Sequence, residues 1–395
     1  MPADPVRPAQ PRLITRRILF RVHWAAGLVA GVVLAIVGVT GAMIGFEAEW
    51  LAWLNPGYQT PSEGRSALSA DAWIARAQAT APKLDPRSLS WAGDERPVRV
   101  RLASGRDRGV AVALNPYSGE VLGPERGAGA LAMAEDLHRR LAAGPIGKQF
   151  VGASTVLLIV MLASGVYLRW PGRPRAVSAW LKPNLRLRGR ALLWNLHAVV
   201  GTWLLAAYLL AALTGLWWSY DGYRNLINGF AGVEGPLRRP AESSHAKGAT
   251  PSVSLAWSAF RSAVPDARRA SLRLPGKDDA IIEVRYQDPR SAHERAWDSL
   301  RIDRESGDIV ERRLHRDEPA GRRFVAALFP LHSGSWFGTP GRVLMALASL
   351  LMPLFTVSGL WLWWLRRRRA KQSRGDHRDL VPTASPGRAQ AAGSR

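Results

Sequence analysis

The chain has 395 residues, a formal net charge of +23, 17 tryptophans and no cysteine. The missing cysteines exclude disulfides, iron–sulfur clusters, thiolate metal ligands and covalently attached c-type haem. A mean hydropathy of -0.08 hides four apolar runs long enough to cross a hydrocarbon core about 30 Å thick, separated by polar stretches, so a wholly soluble chain is excluded.

In chain order the sequence predicts a tail (1–17), a span (18–46), a polar module (47–146), a span (147–170), a short loop (171–190), a third span (191–219), a second module (220–340), a fourth span (341–365) and a basic tail (366–395). Residues 1–22, 169–190 and 366–395 hold 21 Lys/Arg against 3 Asp/Glu, which is +18 of the +23. Basic residues packed beside spans follow the positive-inside rule and are not a nucleic-acid surface. They put both termini and the 171–190 loop in the cytoplasm, against anionic lipid, and both modules in the periplasm of a bacterial inner membrane. The first span is longer than the apolar part of a cleavable signal, about 7–15 residues, so it is expected to stay as an anchor. The first ten residues and the chain after Lys371, rich in Pro, Ala, Arg and Gly, are expected to be disordered.

Each module reads as a helix followed by antiparallel strands. In the first, residues 67–83 form an amphipathic helix capped by Ser69, and "PVRVRLA" and "GVAVALNPYSGEVLG" are strands with a hairpin turn at Gly119. In the second, 251–265 is the helix, and "ASLRLP", "AIIEVRYQ" and "DSLRIDRESGDIVERR" are strands.

The spans repeat. From His23, Gly27, Thr40-Gly41 and Glu47 lie 4, 17, 18 and 24 residues on; from His197, Gly201, Thr214-Gly215 and Asp221 lie at the same offsets. From His138, Gly144, Gly147 and Ser164-Gly165 lie 6, 9, 26 and 27 residues on; from His332, Gly338, Gly341 and Ser358-Gly359 do the same. Two ordered matches imply a duplicated chain. Each copy starts and ends inside, which makes the copies parallel repeats about an axis along the membrane normal. The expected fold is an α+β membrane protein: a four-helix bundle carrying two α+β modules.

Of eight histidines, His245, His293, His315 and His377 fall in polar loops or the tail and read as solvated. The other four sit at repeat-equivalent span ends. Symmetry pairs His23 with His197 at the cytoplasmic face and His138 with His332 at the periplasmic face. Two opposed imidazoles in a helix-lined cavity suit axial ligation of haem iron, whereas zinc needs three or four protein ligands. The expectation is two non-covalent haem b groups, one per face, as an electron path across the bilayer. Arg21 and Arg190 inside, and Arg139, Arg140, Lys148 and Arg342 outside, are candidate propionate partners; positive-inside charge accounts equally for the first two. Trp50, Trp53, Trp217, Trp218, Trp361, Trp363 and Trp364 read as an aromatic belt. Trp24 and Trp194 are positioned to pack on a porphyrin or on a neighbouring helix. Symmetry also makes Glu47 and Asp221 a facing carboxylate pair at the periplasmic ends: solvated residues, an iron(II) site, or a charge that tunes the outer haem.

"RVHWAAGLVAGVVLAIVGVTGAMIGFE", "LHRRLAAGPIG", "WNLHAVVGTWLLAAYLLAALTGLW", "NPYSGEVLG" and "LHSGSWFGTPG" together resemble the PepSY-associated transmembrane proteins, over residues 15–368. The resemblance implies an iron-regulated inner-membrane protein with two periplasmic PepSY modules. In some members it implies a di-haem reductase that releases iron(II) from a ferric siderophore, with His23, His197, His138 and His332 as haem ligands. Related proteins carry a fused flavin-reductase module. These residues hold none, so the expected electron donor is a separate cytoplasmic flavin reductase or a membrane quinol. Two other classes stay open. One is an iron or haem transporter, which the lack of a broken-helix pattern and of charge within the spans speaks against. The other is a non-enzymatic PepSY regulator of a periplasmic partner, which leaves the four histidines without a role.

Overall fold

The computed structural model describes residues 11–104, 109–170, 175–233, 252–274 and 279–379. The disorder expected for residues 1–10 and 380–395 lies outside the described residues, as do His245 and the side chain of His377.

Three helices are long and apolar enough to cross a membrane: α1 (Pro11–Ile44), the helix that begins at Gly144, and the one that begins at Gly338. The first opens at a proline, which costs nothing at a helix start, so it runs back into what was read as the N-terminal tail. After it come α2 (Glu47–Leu54), α3 (Ala70–Thr80) and α4 (Ala128–Arg140), then the second span α5 (Gly144–Arg169) and the short α6 (Val177–Leu181). The third span is a broken one. Helices α7 (Gly189–Trp203) and α8 (Leu205–Ser219) meet at Leu204 with a bend of 59°. This corrects the expectation of an unbroken third span. No proline stands at the break, and the nearest glycine, Gly201, lies within the last turn of α7. Trp203 Nε1 donates to Leu181 O on one side (3.0 Å), and Tyr208 Oη donates to Ala348 O on the other (2.7 Å). Tertiary contacts therefore set the bend, and a hydropathy pattern does not carry them.

Beyond it lie α9 (Asp221–Phe230), α10 (Val253–Ala263), α11 (Ala320–Ser333) and α12 (Gly338–Asp379). The last is the fourth span and continues as helix past Lys371, where disorder was expected, through a run of helix-favouring Lys, Arg, Gln and Ala. In the bundle α1 packs on α5 and α12. A Cβ at Gly38 would meet Ser349 O at 2.5 Å, so the α1–α12 approach needs a residue without a side chain. Leu34, Leu158, Leu204, Tyr208, Ala212 and Met352 close the middle of the bundle.

The polar stretches build one eight-stranded antiparallel sheet. Its strands are β1 (Asp85–Trp91), β2 (Val98–Ala103), β3 (Val110–Leu114), β4 (Val121–Leu122), β5 (Arg269–Arg273), β6 (Ile281–Gln287), β7 (Asp298–Asp303) and β8 (Ile309–Arg313), in the order β4-β3-β2-β1-β5-β6-β7-β8. Each half runs outward from a central β1–β5 seam, with Leu89 opposite Leu272 and Trp91 opposite Ala270. The sequence predicts for each module a helix with antiparallel strands of its own, and the structure joins them in one sheet. Pairing β1 with β5 removes two exposed edges, each of which would invite aggregation. Helices α3 and α10 cover one face over a single core. In it Trp257 stacks edge-on against Trp73 (5.8 Å) and Trp91 (5.9 Å), joining the halves. The two helices also cap each other. Asp71 accepts from Ser252 Oγ (2.6 Å), Val253 N (3.0 Å) and Ser254 N (3.2 Å), and Asp71 N donates to Ser254 Oγ (2.9 Å).

Candidate functional site

Two tight turns feed the sheet into the bundle. α4 ends in left-handed Leu141 and Ala142 before α5 begins, and α11 ends at left-handed Gly334 before α12 begins. A Cβ on Gly147 would fall 1.7 Å from Arg140 O, and one on Gly341 2.3 Å from Gly334 O. The glycine nine residues after each of these histidines is thus the point where the incoming helix meets the span it feeds.

These elements bring the four span-end histidines into two pairs. His23 on α1 and His197 on α7 have ring centroids 6.5 Å apart with an interplanar angle of 73°. His138 on α4 and His332 on α11 have centroids 6.2 Å apart at 72°. The first pair lies at the end of the bundle away from the sheet, the second beneath the sheet.

Each ring has a hydrogen-bond partner at Nδ1. His138 Nδ1 lies 2.9 Å from Val37 O, a pure acceptor, so Nδ1 carries the proton. At His332 the partner is Thr214 Oγ1 (2.9 Å), whose hydroxyl already donates to Leu210 O (2.6 Å). At His23 it is Ser164 Oγ (3.0 Å), which donates to Val160 O (2.7 Å). At His197 it is Ser358 Oγ (2.7 Å), which donates to Phe355 O (3.2 Å). At His197 the Ser358 hydroxyl can donate either to the ring (2.7 Å) or to Phe355 O; at the other three rings Nδ1 is the donor and Nε2 keeps its lone pair. That is the tautomer of a metal-ligating imidazole held by a hydrogen bond on its far nitrogen. Each pair draws on four helices: α1, α5, α7 and α12 for one, α1, α4, α8 and α11 for the other. The Ser and Thr of the repeated Thr-Gly and Ser-Gly dipeptides supply three of the four partners. Sequence comparison marked those positions without giving them a role; their fixed offsets from the histidines were the available signal.

The glycines of the same dipeptides make room for the rings. A Cβ at Gly41 would lie 2.9 Å from His138 Cε1; at Gly165, 3.3 Å from His23 Cε1; at Gly215, 3.3 Å from His332 Cε1. Gly359 has nothing within 4 Å. Trp218, read from sequence as belt, packs edge-on against His332 (5.6 Å), and Phe355 against His197 (5.2 Å). Trp24 stacks on Trp363 (5.9 Å), and Trp194 is exposed.

The outlying residues are arranged differently. Arg139 pairs with Glu135 (2.6 Å) and Arg140 with Asp136 (2.5 Å), both one helical turn apart. Arg342 makes a bidentate pair with Glu49 (2.6 and 2.8 Å), donates to Gly45 O (2.8 Å) and covers the Phe46 ring (4.5 Å). Sequence reasoning missed Glu49; its carboxyl is lowered chiefly by the hydrogen bonds from Arg342. Lys148 and Arg140 line one shallow pocket, and Arg21 and Arg190 are exposed at the far end. Glu47 and Asp221 have separate surroundings. The Glu47 carboxyl is raised by desolvation and then by the charges of Glu135 and Glu125, whereas Asp221 pairs with Arg224 (3.1 Å). His293 and His315 are not simply solvated: both are half-buried, 5.3 Å apart, in the wall of a cleft.

Among the described residues no group of three or more His, Cys, Asp or Glu side chains could hold a metal ion. Any metal held by either pair would need its remaining ligands from elsewhere. The model of the PepSY-associated TM region matches residues 20–366. A search of curated proteins finds no significant match.

Proposed function

Because the chain belongs to the PepSY-associated transmembrane family, we propose that it is a di-haem b oxidoreductase of the bacterial inner membrane. In this reading it carries electrons from the cytoplasmic side to a periplasmic ferric chelate of the siderophore type, releasing iron(II). The observation that carries the reading is the geometry of the two pairs. With nitrogen–metal bonds of about 2.0 Å, two imidazoles that share one metal would have centroids about 6.3 Å apart. The observed separations are 6.5 and 6.2 Å, and a bound haem would bring the remaining ligands of its own iron. A haem in each site would supply one-electron redox chemistry.

The chain's own residues do the rest. His23 and His197 hold one site, and His138 and His332 the other, each with Nε2 free. Ser164, Ser358, Thr214 and the Val37 carbonyl keep the proton on Nδ1 and lock the ring plane. Lys148, and Arg21 with Arg190, are the cations we assign to propionates; Arg139, Arg140 and Arg342 are committed to Glu135, Asp136 and Glu49. We read the chain as a duplication in which each copy contributes half the sheet, as a PepSY module, and two spans. On the basic segments we place both termini in the cytoplasm, with a cytoplasmic flavin reductase or a membrane quinol as the electron donor. The symmetric strand order and matching dipeptides support this reading.

Pyridine haemochrome assay of the full chain, expressed with haem supplied, should give close to two haems per chain, with split α bands on reduction. A colourless, folded protein would overturn the proposal and return the chain to the transporter or regulator class.

A further inference from the structure

Next to the sheet-proximal pair lies a cleft of about 600 Å³, within the usual size of a small-molecule site. Its floor is α11: Ala327 and Leu331 line it, and Leu331 is the neighbour of His332. Its walls are the β6–β7 loop, the end of β8, the turn at 315–317 and Trp336. The loop is fastened to α11 and the turn after it. Glu294 accepts from Ser335 Oγ (2.8 Å) and Ser333 Oγ (3.4 Å), and the Arg295 guanidinium covers Phe329 at 4.2 Å. Phe329 in turn packs on Trp218, which packs on His332. The cleft and the outer histidine thus share one rigid wall.

Its chemistry is one-sided. Arg290, Arg312, Arg316 and Arg323 line it against Asp288 and Asp298; Asp298 already accepts from His315 N at 2.7 Å, and Asp317, beside the cleft, pairs at 3.7 Å with the exposed Arg316. His293 is lowered from its usual value, first by burial and then by His315; His315 is lowered by burial. Both imidazoles are therefore neutral at neutral pH, and the arginines set the field. The apolar wall is aromatic and open. Trp336 is 47% exposed and Phe324 48%, and His293 lies tilted on Trp336 at 5.3 Å. Guanidinium groups recognise anionic oxygens in pairs and stack on planar rings, and exposed aromatic faces accept flat ligands.

We propose that this cleft is where the ferric chelate docks, and that it selects an anionic chelate with aryl-oxygen donors, of the catecholate type, over a cationic or neutral hydroxamate one. The arginines meet the chelate's negative oxygens, Trp336 and Phe324 meet its rings, and Leu331 keeps it one residue from the ligand of the outer site. The inference rests on the reductase reading for the identity of the cargo and on the cleft alone for its charge and shape.

The test uses the full chain in detergent and redox-inert gallium(III) complexes: a trianionic tripodal tris-catecholate and a neutral tripodal tris-hydroxamate, both followed by titration calorimetry. The catecholate complex should bind at least about tenfold more tightly, and Arg316→Gln with Arg323→Gln should remove about tenfold of that affinity by deleting two charge-assisted contacts. Arg290→Gln, on the exposed loop, is the second variant should the double one fold poorly. Equal affinity for the two complexes, or unchanged catecholate binding in variants that melt like the parent, would overturn the proposal. Gallium is not reduced and the titration needs no electron. Failure here in a protein holding two haems therefore leaves the reductase reading standing, and binding by a haem-free protein counts against that reading but not against the cleft.

Discussion

The four glycines that follow the Thr and Ser partners allow a graded experiment, because the space at each differs. At Gly41 a methyl group would sit 2.9 Å from His138 Cε1 and 3.1 Å from Nδ1. The ring cannot swing aside without giving up its 2.9 Å bond to Val37 O. Overpacking of this kind costs about 1–3 kcal/mol, and a lost hydrogen bond adds about 1 kcal/mol. The better helix propensity of alanine returns about 1 kcal/mol. Gly41→Ala should therefore destabilise by about 1–3 kcal/mol and shed the haem of the sheet-proximal site. At Gly359 there is nothing within 4 Å, so only the propensity gain of up to about 1 kcal/mol remains. Gly165→Ala and Gly215→Ala, each 3.3 Å from an imidazole carbon, should fall between. Thermal unfolding in detergent, with haem absorbance read beside it, ranks the four. If Gly359→Ala loses as much stability and haem as Gly41→Ala, the glycines are not there to seat the rings, and the reasoning fails.

Other outcomes follow from the same geometry. Asp71→Asn should cost about 1–3 kcal/mol at neutral pH, since hydrogen bonds to a charged acceptor are the strong ones. Burial opposes ionisation of Asp71, but the bonds from Ser252, Ser254 and Val253 prevail and hold it below the ordinary 3.8. A depressed carboxyl stabilises fully above its unfolded value and ceases to do so as pH falls through the folded one, so the melting gap between parent and variant should close below about pH 4; a gap that persists there refutes the linkage. Ser358→Ala and Thr214→Val free the far nitrogens of His197 and His332 and should each weaken haem retention at one site by about 10–100-fold, the usual cost of losing such a partner, measured by transfer of haem to an apo-globin acceptor. Arg342→Gln and Glu49→Gln should each lower stability by about 1 kcal/mol, with the double variant no worse than either, because both remove the same half-exposed pair; additive losses would show that the two side chains act separately.

The histidine pairs were legible because the sequence repeats them at fixed offsets, and a repeat turns four separate residues into two symmetric positions. The helix at 67–83 was legible from its Ser69 cap and apolar spacing, and the one at 251–265 as its match in the repeat; they appear as α3 and α10. Strand β1 was not. "DPRSLSW" opens on turn residues and offers only Leu89 and Trp91 in alternation, although its partner β5, "RASLR", was read. Missing β1 hid the seam, and with it the merger of two modules into one sheet. Glu49 and the cleft residues were hidden for a related reason. Arg342 and Glu49 are 293 residues apart, and His293 meets His315 only once the loop folds onto α11. No local pattern encodes either meeting.

The bend in the third span needs a separate argument, since broken helices at mid-membrane are the mark of transporters. In such proteins the break frees backbone groups to line a polar cavity. Here the break at Leu204 is surrounded by apolar packing. Leu204, Tyr208 and Met352 belong to the closed centre of the bundle, and Phe355 stands between His197 (5.2 Å) and Tyr208 (5.8 Å). The polar side chains at the bend are spent: Tyr208 Oη on Ala348 O, Trp203 Nε1 on Leu181 O and Thr202 Oγ1 on Ala198 O. The bend does something else: it lets one span serve both sites. Its first half, α7, carries His197 to His23 at one end, and its second half, α8, carries Thr214 to His332 at the other. Straightening the span would hold one of these in register and move the other away. A break that aligns two imidazole sites across a sealed centre suits a path for electrons, which tunnel through packed side chains, rather than a path for an ion, which needs polar ligands along its way.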